Sequence, residues 1–364
     1  MKINLIFFLA RFGFGGAGNS VFKLCKSLDK KKYNIHVICL NKCAYKKQLR
    51  NETVKVIEIN SNRVLYSVFK LKKIIKKITK DNKDNIFISN INYTNIVCSI
   101  FLKNETNLKL IAIERTPFKE LEIYFSVIDY IKKSSIKILT HIFYKRFDAI
   151  VCNSKYMGNY LKKKYGYKSI TIYPPSLNEK QIIKKNKRIK KSILLTTVCR
   201  LSREKKIEEM IYALRYLNKN SIFLNIIGDG PERKKLIFLI KKLDLSKQVK
   251  LLGEKKNIYK YLNKSDLYIN SSYFEGFPNS VVEAANMGIP IISSQSHGGI
   301  NEILLNGKCG TIYNKGYKNL AFQIKSFLDN PKNFVIKSKI AKKNVARFTI
   351  SKHKQKFEKL LEKI

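Results

Sequence analysis

The feature that most constrains the fold is an alternation of short apolar runs with segments of helical periodicity. It starts at the amino terminus and starts again after residue 191. The first series contains KINLIFF, NIHVICL, VKVIEI and NIFISN, with helices predicted over 21–28 and 64–79. The second contains SILLTTVC, IFLNIIGDG, QVKLLG, DLYINSS and IPIIS, with a helix predicted over 205–217. Because strands that alternate with helices form parallel sheets, the sequence predicts two doubly wound α/β domains.

The boundary between the domains is predicted at Pro174 and Pro175, because consecutive prolines interrupt regular structure. The polar, lysine-rich stretch EKQIIKKNKRIKK follows them and is typical of a linker. The sequence thus predicts a first domain over 1–174, a linker over 175–191 and a second domain over 192–349. A last helix over 350–364, with apolar residues at helical spacing, is expected to pack back on the first domain. Tandem domains of this kind place a cleft between the carboxyl ends of their strands.

The chain is strongly basic. Its 73 Lys and Arg against 26 Asp and Glu give a formal net charge of +47. Such a charge favours an anionic partner, which can be nucleic acid, an anionic membrane or a phosphorylated substrate. The basic residues are spread along the chain, so charge alone does not choose among these partners.

Cysteine usage and hydrophobicity indicate the compartment. The seven cysteines are scattered and form no CxxC pair, which predicts reduced thiols and no metal site. No run reaches the roughly eighteen apolar residues of a membrane span, and the apolar run over 3–10 predicts a first strand. We expect a cytoplasmic protein that can lie on the inner face of the membrane without crossing it.

A cluster of glycines follows the first strand in RFGFGGAGNS, residues 11–20. Glycine lets the backbone approach a ligand, and the amides at a helix start attract phosphate. The cluster, which includes Gly15 and Gly16, does not match the G-x-G-x-x-G dinucleotide motif. Phosphate contact and simple turn geometry therefore both remain open here.

Two loops follow predicted strands of the second domain. VCRLSREKK places Arg200 and Lys205 where two cations can neutralise a diphosphate leaving group, although lysine-rich chains also place cations there by chance. IIGDGPERKKL ends the next strand with Gly228 and Gly230. These glycines either bring the backbone near a ligand or only form a turn.

The segment EGFPNSVVE, residues 275–283, contains two glutamates in a very basic chain. Ser280 and Glu283 match the capping box S-x-x-E, which predicts that Glu283 secures the start of its own helix. Glu275 needs another explanation, because it precedes the turn and is expected to project from a loop. A helix start binds phosphate, and a carboxylate accepts hydrogen bonds from sugar hydroxyls. The segment therefore suits a nucleotide sugar.

Together these motifs resemble the retaining glycosyltransferases of family four, which have the GT-B fold of two Rossmann-like domains. The resemblance rests on EGFPNSVVE with AANMGIPIIS, GDGPE, RLSREK, HGGINEI and GGAG, which span nearly the whole chain in the family's order. It implies transfer of a sugar from a nucleoside diphosphate donor, usually a UDP-sugar, with retention of anomeric configuration. It also implies that no metal or other cofactor is required.

The resemblance further implies roles for single residues. Arg200 and Lys205 would hold the diphosphate and stabilise its departing charge. Glu283 would bind the ribose hydroxyls, and Glu275 would hold hydroxyls of the donor sugar. The other implied donor-site positions supply backbone amides or a close backbone approach: Gly15, Gly16, Gly228, Gly230, Gly276, Phe277, Pro278, Asn279 and Ser280.

Some positions depart from the family's pattern. Cys199 stands where glycine is usual, and Lys206 stands where a small residue often follows the lysine. The family usually offers a catalytic histidine after the fifth strand of its first domain, whereas IAIERTPF has Glu114 and Arg115. Some relatives resemble this Glu-Arg form, so these two are candidate acceptor-side residues.

Two basic segments bear on the acceptor. RVLYSVFKLKKIIKKITK predicts an amphipathic helix, and a second basic segment covers 132–146. They are either solvated faces of core helices or surfaces that lie on an anionic membrane and receive a polyprenyl-pyrophosphate-linked glycan.

Three other functions remain as alternatives. A nucleic-acid-binding protein would explain the charge, but no recognisable binding module supports it, and we predict no nucleic-acid partner. A sugar-nucleotide epimerase or a phosphorylase would use the same two-domain scaffold. A degenerate glycosyltransferase that only binds would explain Glu114 and Arg115. The sequence favours an active glycosyltransferase of polysaccharide or glycoconjugate assembly.

Overall fold

A computed structural model of the protein describes residues 2–80, 84–103, 105, 107–124, 126–178 and 192–364. Its residues form two compact units, one of Met1–Pro175 with Thr349–Ile364 and one of Ser176–Phe348. Residues 179–191, most of the predicted linker, lie outside the described part of the chain.

The first unit contains a parallel sheet with the strands β1 (Ile3–Leu9), β2 (Tyr33–Cys39), β3 (Lys55–Glu58), β4 (Asn85–Asn90), β5 (Leu108–Glu114), β6 (Ala149–Cys152) and β7 (Ile170–Thr171). Among the described residues their order is β3-β2-β1-β4-β5-β6-β7, and every pairing is parallel. The strand order reverses between β1 and β4.

Helices cover both faces of this sheet: α1 (Gly16–Ser27), α2 (Lys46–Asn51), α3 (Val64–Thr79), α4 (Asn92–Leu102), α5 (Val127–Phe143) and α6 (Lys155–Tyr165). The continuous apolar run of β1 follows from burial on both sides, as is usual for parallel sheets. Leu5 and Phe7 belong to the core that includes Leu24 of α1, while Ile6 and Phe8 belong to the core that includes Val68 of α3.

The second unit repeats this design with β8 (Ile193–Val198), β9 (Ile222–Ile227), β10 (Val249–Leu251), β11 (Leu267–Asn270), β13 (Ile291–Ser294) and β15 (Thr311–Tyr313). In its described residues the order is β10-β9-β8-β11-β13-β15, again parallel. A separate short pair is formed by β12 (Phe274–Glu275) and β14 (His297–Gly298). Two parallel α/β units confirm the predicted fold class.

The helices of the second unit are α7 (Ile207–Leu217), α8 (Arg233–Lys242), α9 (Tyr259–Leu262), α10 (Asn279–Asn286), α11 (Ile300–Ile303), α12 (Tyr317–Asp329) and α13 (Pro331–Val345). The last helix, α14 (Ile350–Leu361), belongs to the first unit. Its Phe357 stacks on Phe7 of β1, with ring centroids 6.1 Å apart, and is buried with Leu360 and Leu361.

Two predicted helix starts were wrong. The first helix begins at Gly16 and not at Val21, because the glycine-rich run already forms helical hydrogen bonds, such as Asn19 N to Gly15 O at 3.0 Å. The helix predicted from Lys205 begins at Ile207, because Arg203–Lys205 forms a separate 3₁₀ turn. Lys206 lies between the 3₁₀ turn and the helix. Its φ of 49° is left-handed and outside the α-helical range, so the two elements are separate.

Candidate active site

The strongest candidate site of the second unit lies where its strand order reverses, between the neighbouring strands β8 and β11. Ligands of open α/β sheets bind outside the carboxyl ends of the strands at such a reversal. The loop after β8 carries Arg200 and Lys205, and the loop after β11 carries Glu275. The topology therefore brings together two sequence segments that are about seventy residues apart.

Lys205 and Glu275 form an ion pair in which Lys205 Nζ lies 2.5 Å from Glu275 Oε1. The two side chains are only 15% and 16% exposed. Burial by itself lowers the pKa of Lys205, but the adjacent Glu275 carboxylate raises it, and the net pKa is above the ordinary lysine value. The ammonium group is therefore firmly charged at neutral pH.

Two serines at the end of β11 hold this pair, and sequence reasoning missed both. Ser272 Oγ donates to Glu275 Oε1 at 2.8 Å. Ser271 Oγ donates to the carbonyls of Lys205 and Lys206 at 2.7 and 2.9 Å, next to the left-handed backbone of Lys206. The signal was present in the sequence, since two small hydroxyl residues directly follow a buried strand in DLYINSS.

The backbone of Glu275 is fixed by the short strand pair, in which Glu275 lies opposite Gly298. Gly298 has a φ of 140°, and a Cβ atom there would lie 1.4 Å from the Glu275 carbonyl oxygen. Only glycine allows this approach. HGGINEI thus contributes to the site by positioning the Glu275 backbone.

Helix α10 follows the turn, and its start differs from the predicted capping box. Its N-cap residue is Pro278, no side chain caps it, and Ser280 lies inside the helix, where its hydroxyl accepts from Tyr268 at 2.8 Å. The capping role of Glu283 was therefore wrong, because the turn fixes the helix start earlier in the chain. Glu283 is half-buried. Burial raises the pKa of Tyr259, and the charge of Glu283 raises it further, so the two side chains are near each other.

The residues between Glu275 and α10 are held by packing and hydrogen bonds. The Gly276 carbonyl accepts from Gly299 N at 3.1 Å, and the buried Phe277 ring meets Phe348 edge to face. Asn279 Oδ1 accepts from Ser176 Oγ at 2.7 Å. The first amides of α10 therefore start from a fixed turn.

Arg200 is exposed, and its loop lies against the loop after β9. The Leu201 amide donates to the Asp229 carbonyl at 3.0 Å. Gly228 has a φ of 135°, and a Cβ atom there would lie 1.9 Å from the Cys199 carbonyl oxygen. Gly230 N donates to Asp229 Oδ1 at 2.7 Å in the turn before α8. The GDG motif thus supports the backbone that carries Arg200, which is a structural reason for its glycines.

The remaining predicted residues lie in the first unit. Gly15 is the N-cap residue of α1 and Gly16 is its first residue; both are exposed, and no side chain caps this helix. Glu114 is the last residue of β5 and is fully buried, whereas Arg115 is half-buried.

The described residues contain neither a metal-binding cluster nor a membrane-spanning helix. Within the described ranges, no group of three or more His, Cys, Asp or Glu residues is arranged to hold a metal ion. None of the described helices is long and apolar enough to cross a bilayer.

Comparisons with known proteins agree with this architecture. The family model described as glycosyl transferases group 1 matches residues 178–346, and the model described as glycosyltransferase family 4 matches residues 14–180. An uncharacterized glycosyltransferase of Methanocaldococcus jannaschii is 46% identical over 81 residues, which are 22% of this chain and 20% of that protein.

A longer match is the N-acetylgalactosamine-N,N'-diacetylbacillosaminyl-diphospho-undecaprenol 4-alpha-N-acetylgalactosaminyltransferase of Campylobacter jejuni. It is 26% identical over 339 residues, 89% of this chain and 90% of that protein. Among solved structures, Anabaena Alr3699/HepE in complex with UDP and glucose superposes with a TM-score of 0.82 at 18% identity, over 100% of both chains. At that identity the structural likeness concerns the fold alone.

Proposed function

The chain belongs to the glycosyltransferases of family four and has their GT-B fold, and we propose that its donor is a UDP-sugar and its acceptor a lipid-linked glycan. The transferred group is a hexosyl or N-acetylhexosaminyl residue. The donor proposal is supported by the Lys205–Glu275 pair at the strand reversal of the second unit. The acceptor proposal is supported by the diphospho-undecaprenol substrate in the name of the Campylobacter jejuni relative.

The donor's diphosphate is bound by cations and amides. Lys205 and Arg200 hold its oxygens, and the backbone N–H groups of Phe277, Asn279 and Ser280 add hydrogen bonds at the start of α10. Pro278 has no N–H and shapes the turn before the helix. As the bond to the sugar breaks, negative charge grows on the leaving UDP, and these fixed positive groups stabilise it.

The donor's hydroxyl groups are bound by carboxylates. Glu275, held by Lys205 and Ser272, accepts from hydroxyls of the transferred sugar, and Glu283 accepts from the ribose. The protein supplies no nucleophile in this mechanism. The acceptor hydroxyl attacks the anomeric carbon on the face that UDP leaves, its proton passes to the departing phosphate oxygen, and the anomeric configuration is retained. The main catalytic contribution is electrostatic, with about 3 kcal/mol for each such donor group.

This function is tested by incubation with a panel of UDP-sugars, with and without a polyprenyl-diphosphate-linked glycan, while UDP release is measured. Wild type should release UDP faster with acceptor for one sugar of the panel. Glu275→Gln, which keeps the shape and removes the charge, should lower turnover at least tenfold, or about 1.4 kcal/mol. The control Glu254→Gln changes an exposed glutamate of the same unit and should leave turnover unchanged. Full activity of Glu275→Gln would contradict the donor-site assignment.

The proposal includes peripheral contact with an anionic membrane, and α5 supports it best. Of its 17 residues only Thr140 is buried. Val127, Ile128 and Ile138 are 75%, 79% and 61% exposed. In α3, by contrast, Val64, Val68, Leu71 and Ile75 are buried in the core, and the most exposed apolar residue is Phe69. The apolar stripe of α3 is thus mainly a core face, whereas that of α5 meets solvent.

An anionic bilayer suits α5 because apolar and basic residues share it. Lys132 and Lys137 lie beside the exposed isoleucines, and each lysine near an anionic surface adds about 1 kcal/mol of attraction. An interfacial helix buries its apolar side chains at the headgroup boundary while its lysines meet the headgroups.

Vesicle sedimentation tests this contact. Wild type should bind vesicles rich in phosphatidylglycerol and bind phosphatidylcholine vesicles weakly. The double variant Ile128→Asp, Ile131→Asp should lose most of that binding, because charges are placed on the inserting face. The control Phe322→Asp changes an equally exposed apolar residue of α12 and should bind like wild type. Equal, negligible binding of wild type to both vesicle types would refute the contact.

A further inference from the structure

Glu114 and Arg115 are consecutive in the chain but do not pair. Glu114 Oε1 accepts hydrogen bonds from the Tyr144 hydroxyl and from Asn95 Nδ2, the latter at 2.6 Å. Glu114 Oε2 has no partner in the described part of the chain. Burial raises the pKa of Glu114 to about 7. A carboxyl group without exposed surface does not reach a bound acceptor in this conformation, so Glu114 acts through its neighbours.

The Arg115 side chain has different partners. Its Nε donates to Asn90 Oδ1 at 2.9 Å, at the end of β4, and its carbonyl accepts from Asn153 Nδ2 at 3.1 Å. These bonds fix both the backbone and the Nε edge of the guanidinium at the carboxyl end of the sheet. Successive side chains at a strand end point to opposite faces, which explains the separation of Glu114 from Arg115.

Arg115 is a half-buried cation without an acidic partner among the described residues. Burial lowers its pKa to about 10, which leaves the guanidinium charged at neutral pH. Removing a cation from water is unfavourable unless an opposite charge or strong hydrogen bonds compensate it. The neighbouring carboxyl group does not provide that compensation.

Another titratable side chain, His353 of α14, lies near Arg115. Burial is the main cause that lowers the pKa of His353 to about 4, and the charge of Arg115 lowers it further. The two side chains are therefore close to each other. His353 Nδ1 lies 2.6 Å from the Tyr173 carbonyl, and Lys356 lies over the Tyr173 ring. His353 is therefore uncharged at neutral pH, so it neither adds to nor compensates the charge of Arg115.

Resting on the function proposed above, we propose that Arg115 binds a phosphate group of the lipid-linked acceptor and that Glu114 is a positioning residue. The shared chemistry is a phosphate oxygen that accepts from the guanidinium, and the donor is the other source of such a group. The acceptor is favoured because Arg115 belongs to the same unit as the exposed helix α5, whereas the Lys205–Glu275 pair of the proposed donor site belongs to the other unit. A lipid held at α5 would carry its diphosphate on the same unit as Arg115.

Calorimetry with the full chain and inorganic pyrophosphate tests the proposal without requiring turnover. The titration is made in saturating UDP, which occupies the donor site. Arg115→Gln should bind pyrophosphate at least tenfold more weakly than wild type. Arg115→Lys keeps the charge and loses the hydrogen bond to Asn90. Its affinity for pyrophosphate should lie between those of wild type and Arg115→Gln. The control Arg50→Gln, at an exposed arginine of α2, should match wild type.

Two outcomes would overturn the proposal. Unchanged pyrophosphate affinity in both Arg115 variants would remove the anion site. A tenfold loss of UDP affinity in Arg115→Gln would assign the residue to the donor. If transfer is measurable, Arg115→Gln should raise the KM for the lipid-linked acceptor at least tenfold and leave the KM for the UDP-sugar unchanged. Because the binding arm needs no transfer, its failure is distinguishable from failure of the proposed function.

Discussion

Each unit places a predicted acid and a predicted base at the carboxyl edge of its parallel sheet. The second unit pairs Lys205 with Glu275, whereas Glu114 and Arg115 of the first unit do not pair with each other. Lys205 and Glu275, about seventy residues apart, lie 2.5 Å from each other. Glu114 and Arg115, adjacent in sequence, bind Tyr144 and Asn90 respectively. Adjacency at a strand end separates two charges, whereas loops after neighbouring strands bring distant charges together.

The difference has an energetic consequence. In the second unit the carboxylate compensates the buried ammonium, so the site is stable and charged. In the first unit burial raises the pKa of Glu114 to about 7 and lowers that of Arg115 to about 10, and neither group stabilises the charge of the other. Substitutions at Lys205, Gly298, Glu114 and Ser272 test this comparison.

The largest effect is expected from breaking the pair at Lys205. Lys205→Ala should lower turnover by about 10²–10³, because a fixed cation that stabilises the leaving group is lost. Glu275→Ala and the double variant complete a cycle, and the two effects should be coupled by at least about 1 kcal/mol, since the residues share one contact. Lys247→Ala, at an exposed lysine, is the control. Strictly additive losses would refute the functional coupling of the pair.

Gly298→Ala tests the backbone support of Glu275. The added methyl would overlap the Glu275 carbonyl, so the short strand pair should open, at a cost of about 3 kcal/mol in the free energy of unfolding. The matched control is Gly166→Ala, which also has a positive φ, of 79°, but no atom within 4 Å of the new methyl. Urea unfolding of both variants measures the difference; equal destabilisation would mean that the close approach is unimportant.

Glu114→Gln tests the unpaired acid in the first unit. The pKa of Glu114 rises from 4.5 to about 7 by burial. The folded state thus binds more protons than the unfolded state between these values, and stability falls as pH rises through this window. Glutamine removes the cost of burying a carboxylate charge. The free energy of unfolding of the variant should therefore exceed that of wild type by about 1–3 kcal/mol at pH 8.5 and by little at pH 5.

Unfolding midpoints at the two pH values check this result. Tyr144, Cys152 and Tyr165 lie near enough to feel the Glu114 charge, but burial raises the pKa of each of them, so none titrates in that window. Glu254→Gln is again the exposed control. A stability gain that does not depend on pH would show that the charge of Glu114 is not its cause.

Ser272→Ala is expected to have the smallest effect. It removes one hydrogen bond to Glu275 Oε1 but leaves the ion pair. Loss of that bond should lower the free energy of unfolding by about 1 kcal/mol and lower turnover a few-fold. Ser246→Ala, at an exposed serine of the same unit, should be neutral in the same kinetic assay. A loss as large as that of Lys205→Ala would mean that the serine, and not the lysine, mainly positions Glu275.

Much of the fold was predictable from local pattern. The helix over 64–79 was predicted with the bounds that the structure shows, because apolar residues at helical spacing continue through its whole length. The errors arose where turn geometry overrode a local signal. Ser280 and Glu283 fit a capping box by spacing, yet the turn ending at Pro278 starts the helix earlier and Tyr268 uses the serine hydroxyl.

The candidate site was only partly predictable. Glu275, Arg200 and Lys205 were identified by residue type and by their position after strands, but spacing could not show that Lys205 contacts Glu275. The serines that hold both residues were missed, because their role depends on loops that meet only in the folded unit. Likewise, two basic amphipathic helices looked alike in sequence, and burial alone distinguished the core helix α3 from the exposed helix α5.

By itself, the sequence determined the alternation of strands and helices, the two-unit α/β class and the family, because these depend on periodicity and short motifs. The tertiary structure decided which charges are paired, which acid is neutralised by burial and which helix faces solvent. Those properties depend on distance and on exclusion of water, and both are set by residues far away in the chain.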